Sequence, residues 1–271
     1  MATMSLVIKV GDKVMVDAFS EKALDDLGAV TRRYPTILVH GGGNTVTGIA
    51  EKLGVHQQFV TSPEGFRSRY TDIDTIQIYT MVMAGKINKQ IVTKLLSRKI
   101  PAIGLSGIDG GLIRANRKKK LIVNDERGRR KAIEGGYTGL VTHVEGSLLR
   151  TLMEAGYVPV IAPIALSEEN EPLNIDGDRT AGHVATAVSA ETLLLMTDVE
   201  GVTLPSGLIR SLSANEVKQN LPNIGPGMIT KVFAAQEAIS AGTRRVIVAP
   251  GKGDLPYTAA LNGERGTSIT P

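Results

Sequence analysis

The chain of 271 residues contains no cysteine. Disulfide bonds and thiolate metal sites are therefore excluded, and a reducing cytoplasm is the expected compartment. Only four histidines are present, and no serine and histidine combine in a nucleophile-elbow motif, which argues against zinc and hydrolytic chemistry. Aromatic residues make up only 4% of the chain, so few side chains could stack on the bases of a nucleic acid.

Long hydrophobic runs are also missing. The longest uncharged apolar stretch, 156–167, is interrupted by Pro159 and Pro163 and is shorter than the roughly 20 residues of a membrane helix. The apolar run in residues 1–10 is too short for a signal peptide. We therefore expect no contact with a membrane. With 42% hydrophobic and 21% charged residues, the chain can bury the core of one large α/β unit or of two lobes.

Positive charge is concentrated in residues 114–131, which we call the basic flap. This segment has a net charge of +7 in a chain whose total is +4. Such a patch favours a polyanionic partner, although a solvated hairpin is the ordinary alternative. The flap has no Phe, Tyr or Trp, so we favour an acidic protein over nucleic acid. Its basic residues are Arg114, Arg117, Lys118, Lys119, Lys120, Arg127, Arg129, Arg130 and Lys131.

Strands and helices alternate along most of the chain. The apolar patterns predict a strand at 6–10, a helix at 20–33 capped by Ser20, and a strand at 37–39. This order predicts an α/β protein with a mostly parallel open sheet covered on both faces, a three-layer αβα sandwich. Residues 110–144 instead have the pattern of short β segments with glycine-rich turns, a β-hairpin excursion that includes the basic flap.

A long helix is predicted from 72 to 98, with Thr71 as its cap. Its apolar stripe is typical of core, and its length would also suit a dimer surface. Helices are further expected near 145–155, 179–189, 214–220 and 227–241, with strands at 158–162, 192–196 and 245–248. A boundary near 167–171 would divide a substrate lobe, 1–166, from a nucleotide lobe, 167–271. The stripe consists of Ile76, Tyr79, Met83, Ile87, Ile91 and Leu95.

Three glycines, Gly41, Gly42 and Gly43, stand between a predicted strand and a predicted helix. Bare backbone N–H groups and the partial positive charge of a helix start make such a loop an anion cradle. A plain flexible turn is the alternative, because neither common nucleotide-binding glycine motif is complete. Lys9 and Lys231 also follow strand or glycine signals, so we expect them at the carboxyl edge of the sheet, where ligands bind in such folds.

Six motifs occur in order along the chain: VIKVG (7–11), VHGGG (39–43), RYTD (69–72), NIDGD (174–178), LMTDVEGV (195–202) and GPGMITK (225–231). In these motifs the chain resembles the amino-acid kinase family over nearly its whole length. Within the family it is similar to acetylglutamate kinases. It is more similar to the branch that phosphorylates 2-aminoadipate or glutamate carried on the amino-group carrier protein LysW, because of TSPEGFRSRYT (61–71) and the flap before EGGYTG (134–139).

The resemblance implies an ATP-dependent phosphotransferase that makes an acyl phosphate in the biosynthesis of lysine and also arginine. It further implies Mg²⁺ on the ATP phosphates with no protein ligand assigned, an acidic LysW-like carrier as partner, and a homodimer. A kinase of free N-acetylglutamate is the alternative within the family. A nucleotide sensor or a nucleic-acid-binding module is the alternative from another class.

The resemblance also implies roles for individual residues. Lys9 and Lys231 would contact the transferring phosphoryl group, and Asp178 would orient both. The amides of Gly42 and Gly43 would bind the reacting carboxylate and the phosphoryl group. Arg69 would bind the α-carboxylate of the substrate, and Asn174 would bind its α-nitrogen. The nucleotide would bind Gly11, Thr197, Asp198, Gly201 and Val202, and the carrier would dock on Arg117, Lys118, Lys119, Lys120, Arg129 and Arg130.

Ordinary structural roles remain open for several of these residues. Lys9 has the pattern of a solvated lysine at the rim of a sheet, and Lys231 could pair with Glu237. Asp178 has the pattern of a helix N-cap. Asn174 is typical of a turn, and 198–201 could be a β-turn.

Two positions depart from the family pattern. Asp12 stands where a second glycine is common, which brings a negative charge near the phosphates, and Asp176 stands where acetylglutamate kinases often have Asn. The chain shows no N-terminal extension of the kind that arginine-regulated hexamers use, so we expect a dimer without that regulation.

Overall fold

The structure is a computed structural model that describes residues 5–63, 65, 67–124, 128–225 and 227–271. Glu64 and Phe66 of the 61–71 motif, Asp125, Glu126 and Arg127 of the flap, and Pro226 of the GPGMITK motif lie outside this range. The helices are α1 (Met15–Ala18), α2 (Glu21–Arg33), α3 (Gly43–Lys52), α4 (Ile73–Thr80), α5 (Asn88–Ser97), α6 (Gly146–Glu154), α7 (Gly177–Ala187), α8 (Ala214–Asn220), α9 (Met228–Ser240) and α10 (Pro256–Leu261).

A π-helical segment, Met81–Ile87, joins α4 to α5, and short 3₁₀ turns occupy Asp12–Val14, Asp109–Gly111 and Leu221–Asn223. The strands are β1 (Leu6–Val10), β2 (Thr36–His40), β3 (Phe59–Thr61), β4 (Arg67–Arg69), β5 (Ala102–Ser106), β6 (Ile113–Arg117), β7 (Lys120–Asn124), β8 (Arg130–Glu134), β9 (Gly139–Val144), β10 (Val158–Ala162), β11 (Ile164–Leu166), β12 (Pro172–Asn174), β13 (Thr192–Thr197), β14 (Thr203–Leu204), β15 (Gly207–Leu208), β16 (Ser211–Ser213), β17 (Arg245–Pro250) and β18 (Thr267–Thr270).

The central sheet has eight strands in the order β16-β18-β17-β13-β1-β2-β10-β5. Its pairs are parallel except for β17 with β18. Successive residues of β1 point to opposite faces, so Ile8 joins one buried cluster and Val7 the other. Helices cover both faces, and the predicted α/β sandwich around a mostly parallel sheet is confirmed.

A smaller sheet forms the predicted excursion. It has the order β12-β11-β6-β9, in which β6 and β9 are antiparallel. The hairpin of β7 and β8 extends beyond it and pairs Lys120 with Glu134 at its base. The described part of the basic flap therefore runs from β6 through this hairpin, and the β-rich prediction for 110–144 is confirmed.

The long predicted helix is continuous but not uniform, because α4, the π segment and α5 follow one another without a break. Its N-cap is Asp72, whose carboxylate accepts a hydrogen bond from the amide of Thr75 at 2.8 Å. The prediction of Thr71 as cap is wrong by one residue, because the Thr71 hydroxyl instead bonds to the carbonyl of Arg69. The apolar stripe of this helix is buried in the core, so a dimer surface would have to use the opposite face.

The helix predicted at 179–189 also begins earlier than expected. It is α7, and its cap is Asp176, which accepts a hydrogen bond from the amide of Arg179 at 2.8 Å. Asp178 therefore lies inside the first turn, so the reading of Asp178 as an N-cap is wrong. Across the described residues, no helix is both long and apolar enough to cross a membrane.

Candidate active site

Two lysines from opposite ends of the chain meet on one carboxylate. Lys9 lies near the carboxyl end of β1, and its Nζ is 2.8 Å from Oδ1 of Asp178. Lys231 lies in the first turn of α9, and its Nζ is 2.8 Å from Oδ2 of the same residue. The fold produces this meeting because α7 packs against both β1 and α9. The three side chains are 15% exposed or less.

Burial and mutual charge set the ionisation of this cluster. Although burial opposes its charge, Asp178 has a pKa held well below its usual range by Lys9 and Lys231. Burial likewise opposes the Lys9 ammonium, but Asp178 outweighs it and raises the pKa of Lys9. For Lys231, burial and then the Lys9 charge lower the pKa. With both amines protonated, the cluster has one positive charge in excess, which suits the binding of an anion.

Asp176 adds a second carboxyl group at the same helix start. Its side chain lines the neighbouring cavity and caps α7, as described above. The protein atoms around it, followed by the nearby Asp178 carboxylate, raise the pKa of Asp176, although its surface stays exposed to solvent. Asp176, which departs from the family pattern, therefore lies within the candidate site.

The glycine loop lies between β2 and α3 and can be built only with glycine at its centre. Gly42 has φ of +151°, and a Cβ there would come within 2.2 Å of Cδ1 of Ile87 and 2.8 Å of Sδ of Met83. Gly42 is also the N-cap of α3, so its amide and that of Gly43 have no acceptor within the helix. The structure thus provides the expected bare donors.

Asp12 reaches into this loop. Its Oδ2 accepts a hydrogen bond from the amide of Asn44 at 2.7 Å, in the first turn of α3. A Cβ on Gly41 would lie 2.7 Å from the amide nitrogen of Asp12, so the loops after β1 and β2 are in close contact. The Asp12 carboxylate therefore occupies the Asn44 amide, one of the backbone donors at the start of α3.

A cavity of about 490 Å³ opens beside the lysine cluster. Gly43, Arg69, Asn174, Asp176 and Arg179 lie in its wall, so three of the four residues predicted to bind substrate line one space. The fourth, Gly42, adjoins Gly43 in the same loop. The predicted nucleotide residues, which are described below, do not line this cavity.

Arg69 is buried and held in a fixed orientation. It donates to the carbonyl of Gly43 at 2.7 Å, to the hydroxyl of Thr47 at 3.0 Å and to the side-chain oxygen of Gln57. Its guanidinium also lies over the ring of Phe59, at 4.9 Å from the centroid. A guanidinium has five N–H donors, so this arrangement leaves donors for a carboxylate in the cavity.

Asn174 ends β12 and does not form a turn. Its side-chain Nδ2 donates to the hydroxyl of Thr71 at 3.0 Å, and its backbone amide donates to the carbonyl of Tyr137 at 2.9 Å. The reading of Asn174 as a turn residue is therefore wrong. These bonds fix the amide side chain at the cavity wall.

The residues predicted to dock a carrier fall into two groups. Lys118 is half-buried in the cavity wall, and burial lowers the pKa of this lysine. Lys119, Lys120, Arg129 and Arg130 are exposed. Arg117 lies at the base of the hairpin, stacked over Tyr137 at 4.1 Å and paired with Glu171 at 2.9 Å.

The same hairpin forms part of the cavity. Leu121, Ile122 and Val123 of β7 line it, opposite the arginine-bearing hairpin of β3 and β4. The basic flap is therefore not a detached surface loop, because its apolar residues enclose the space that contains Arg69.

The predicted nucleotide residues lie where β13 ends. Gly11 donates to the carbonyl of Met196 at 3.1 Å, which brings the loop after β1 beside Thr197. Asp198 pairs with Lys13 at 2.9 Å on the exposed side. Gly201 has φ of +154° and lies against Thr267, whose hydroxyl accepts a hydrogen bond from the amide of Val202 at 2.8 Å.

Some site residues were not singled out from the sequence. Arg179 lines the cavity and makes a bidentate pair with Glu237, at 2.8 and 2.7 Å. The expectation that Lys231 could pair with Glu237 is therefore wrong. His183 and Arg67 also line the cavity. The only signal for Arg179 and His183 is their place in the helix that follows NIDGD.

The sequence agrees with a known family over most of its length. The profile of the amino acid kinase family matches residues 4–250. A LysW-aminoadipate/LysW-glutamate kinase of Metallosphaera sedula is 45% identical over 268 residues, which cover 98% of this chain and 100% of that protein. A kinase of the same name from Saccharolobus solfataricus is 43% identical, with 94% and 96% covered. The chain belongs to the amino acid kinase family.

A further relative, from Cenarchaeum symbiosum, is 48% identical over 264 residues, which cover 97% of this chain and 98% of that protein. Solved structures of the same fold are more distant in sequence. N-acetylglutamate synthase from Neisseria gonorrhoeae has a TM-score of 0.79 at 21% identity and covers all of this chain with 60% of its own. Carbamate kinase from Giardia has a TM-score of 0.68 at 16% identity, with 100% and 99% covered. The relatives compared above by sequence are kinases, and this protein is a phosphotransferase of the same family.

Proposed function

We propose that this protein transfers the γ-phosphoryl group of ATP to the side-chain carboxylate of 2-aminoadipate or glutamate whose amino group is joined to the carrier LysW. The product is an acyl phosphate on the way to lysine, and to arginine where glutamate is the substrate. The relatives named above support the choice of acceptor. The observation that carries the proposal is the convergence of Lys9 and Lys231 on Asp178 beside a cavity that contains Arg69.

The chemistry requires charge compensation more than proton transfer. A carboxylate is already an anionic nucleophile at neutral pH, so no general base is needed. Lys9 and Lys231 compensate the charge that develops on the phosphoryl oxygens, and Asp178 holds both amines at a fixed separation. The amides of Gly42 and Gly43 donate to the same group and to the reacting carboxylate. The chain thus positions two anions that would otherwise repel each other.

The acceptor fits the cavity through its α-substituents. Arg69 binds the α-carboxylate with the donors that remain after its three internal bonds. Asn174 binds the amide that joins the α-nitrogen to the carrier. A substrate acylated on nitrogen needs a path for the attached chain, and we assign that path to the side of the cavity that β7 lines. The exposed lysines and arginines of that hairpin suit an acidic carrier.

ATP fits the same carboxyl edge of the sheet, at β13, which pairs with β1 on the side away from β2. Gly11, Thr197, Asp198, Gly201 and Val202 surround the end of β13 and bind its adenosine part in this proposal. Mg²⁺ accompanies the ATP phosphates and compensates their charge. Within the described residues no cluster of three His, Asp or Glu side chains is suited to a metal, and we assign the ion no ligand from the chain.

Other parts of the proposal concern organisation. We assign 1–166 to a substrate lobe and 167–271 to a nucleotide lobe, because Arg69 belongs to the first segment and the end of β13 to the second. Asn174, at the end of β12, lies in the second segment and reaches the substrate cavity from there. A homodimer and a cytoplasmic location complete the proposal and stay predictions.

A comparison of acceptors tests this function. Purified protein with ATP and Mg²⁺ is given LysW-linked aminoadipate, LysW-linked glutamate or N-acetylglutamate, and the acyl phosphate is trapped with hydroxylamine. We expect hydroxamate from at least one carrier-linked acceptor, with a kcat/KM well above that for N-acetylglutamate. A preference for N-acetylglutamate would make this protein an acetylglutamate kinase. Absence of product from all three would end the proposal.

A further inference from the structure

His40 is a buried histidine with no part in the chemistry described so far. It is the last residue of β2, is 1% exposed and immediately precedes the glycine loop. Its Nδ1 lies 2.8 Å from the carbonyl oxygen of Gly41. A carbonyl can only accept, so Nδ1 carries the hydrogen in this contact.

Asn88 contacts the other ring nitrogen. It is fully buried, and its Nδ2 lies 2.8 Å from the carbonyl of Val160 and 3.3 Å from both the carbonyl of Leu105 and Nε2 of His40, which share its two hydrogens. Because the amide nitrogen of Asn88 can only donate, Nε2 of His40 is the acceptor. Both contacts therefore select one neutral tautomer. Burial lowers the pKa of His40 to about 4, which keeps the ring neutral at physiological pH.

Asn88 is itself fixed by its surroundings. Its Oδ1 accepts a hydrogen bond from Nζ of Lys89 at 3.2 Å. A Cβ on Gly104 would lie 2.0 Å from that oxygen, so the packing allows only glycine there. Asn88 also directly follows the π segment, whose Met83 and Ile87 pack on Gly42. π segments are frequent at functional sites. This one packs against the glycine loop at Gly42, and Asn88, the next residue, contacts His40.

We infer that His40, held by Asn88, fixes the Gly41–Gly42 peptide so that the amide of Gly42 points at the transferring phosphoryl group. In a planar trans peptide the C=O and N–H groups point in opposite directions. Anchoring the Gly41 carbonyl on the His40 side therefore directs the Gly42 N–H to the other side. Without the anchor, two adjacent glycines allow the peptide to flip, and a carbonyl oxygen would then face the phosphoryl oxygens.

This inference rests on the proposed phosphoryl transfer and makes His40 a positioning residue. The Gly42 amide matters most when charge develops on the phosphoryl group, so loss of its alignment lowers kcat rather than the affinity for ATP or acceptor. A purely structural role for His40 would instead lower stability and leave the kcat of the folded fraction unchanged.

Two amide variants separate these roles. In His40→Asn the side-chain nitrogen can occupy the place of Nδ1 and still donate to Gly41. In His40→Gln the nitrogen reaches the place of Nε2 and leaves Gly41 without its donor. His40→Leu removes both contacts. We expect His40→Asn to keep a kcat close to that of the wild type, and His40→Gln and His40→Leu to lose about a hundredfold in kcat with KM nearly unchanged.

A binding measurement distinguishes the positioning role of His40 from a loss of protein stability. Affinity for ADP with aluminium fluoride, which imitates the phosphoryl group in transfer, should fall in His40→Gln and His40→Leu in step with kcat. Affinity for ADP alone should not change. Equal kcat in the Asn and Gln variants, or a parallel loss of ADP binding, would overturn the inference.

The wild-type protein gives a test that does not depend on folded variants. The ¹⁵N shifts of the His40 ring at neutral pH should show a protonated Nδ1 and a bare Nε2. The opposite tautomer, or an imidazolium, would refute the geometry. This measurement is independent of activity, so failure of the wild type in the acceptor assay would count against the proposed function and not against the His40 tautomer.

Discussion

Lys9 and Lys231 bind the two oxygens of one carboxylate, each at 2.8 Å from Asp178. A carboxylate shared in this way holds two like charges close together, which neither lysine could achieve alone against their mutual repulsion. The arrangement leaves the remaining ammonium hydrogens available for a third anion. Asp178 is therefore as important to the geometry as the lysines are.

Replacing either lysine by methionine should abolish turnover. Lys9→Met and Lys231→Met keep most of the side-chain volume but remove a charge that acts on the phosphoryl group, so we expect kcat to fall at least about a hundredfold. Hydroxamate formation measures the loss, and circular dichroism checks the fold. The control is Lys22→Met, which removes an exposed lysine paired with Asp254. Full activity in either active-site variant would rule out the assigned mechanism.

Asp12→Asn should strengthen the binding of ATP. The Asp12 carboxylate uses the amide of Asn44 at the start of α3, and it repels phosphates that approach the same helix start. Removing its charge should lower the KM for ATP about two- to fivefold, as expected for one charge near a helix terminus. A titration of ATP at fixed excess Mg²⁺ measures this change. A higher KM would instead indicate that Asp12 helps to hold the metal.

Reversing charge on the hairpin should affect only carrier-linked acceptors. Lys119 and Lys120 are exposed, so Lys119→Glu with Lys120→Glu should lower the kcat/KM for the LysW-linked substrate and reduce its dependence on salt. The same variant should use N-acetylglutamate as the wild type does. A matched control reverses the exposed Lys52 and Lys218. Equal losses in both variants would show that net charge, and not the hairpin, steers the carrier.

The buried histidine predicts a loss of stability in mild acid. The pKa of His40 is about 4 in the folded protein and about 6.5 in the unfolded chain. Between these values the unfolded chain binds more protons, so the free energy of unfolding falls as pH is lowered from about 6.5 to about 4. A shift of this size corresponds to about 3 kcal/mol.

Urea unfolding at several pH values measures this effect of His40. His40→Asn should show a flatter dependence over the same range. The partly buried His183 also has a lowered pKa and contributes equally to both proteins. An identical slope in wild type and variant would contradict the assignment.

Gly42→Ala and Gly48→Ala should have opposite effects on stability. At Gly42 the backbone conformation is unfavourable for alanine, and its Cβ would collide with Ile87 and Met83, so we expect a loss of about 2 kcal/mol or more. At Gly48, inside α3, nothing lies within 4 Å of an added Cβ. There alanine should stabilise by about 0.5–1 kcal/mol. Thermal unfolding of both variants decides the comparison.

Much of the fold could be predicted because the apolar patterns and helix caps in the sequence match the strands and helices of the structure. The burial of β1 and β2 and the cap at Ser20 were all readable from apolar runs and one cap residue. Helix α10 and strand β18 were not predicted. Strand β18 is short and pairs antiparallel to β17 and parallel to β16, and such an edge pairing depends on distant partners that no local pattern specifies.

Many members of the candidate site were predictable, but Arg179, His183 and Arg67 were not, and neither were several contacts. Motif resemblance gave Lys9, Asp178 and Lys231, and the structure brings them together. The partner of Lys231 could not be inferred, because the choice between Asp178 and Glu237 depends on how α7 packs on α9. The cavity-facing position of Lys118 was equally hidden, since three successive lysines look alike in sequence although only one of them lies in the cavity wall.

The central place of β1 has a consequence for how the molecule is made. Strand β1 pairs on one side with β2, which follows it closely in the sequence, and on the other with β13, which is synthesised much later. One edge of β1 must therefore wait unpaired while most of the polypeptide is still being translated. Pairings between such distant segments form slowly, so the site that we propose, which needs β1 beside β13 and Lys231 beside Asp178, cannot form until those later segments have been made.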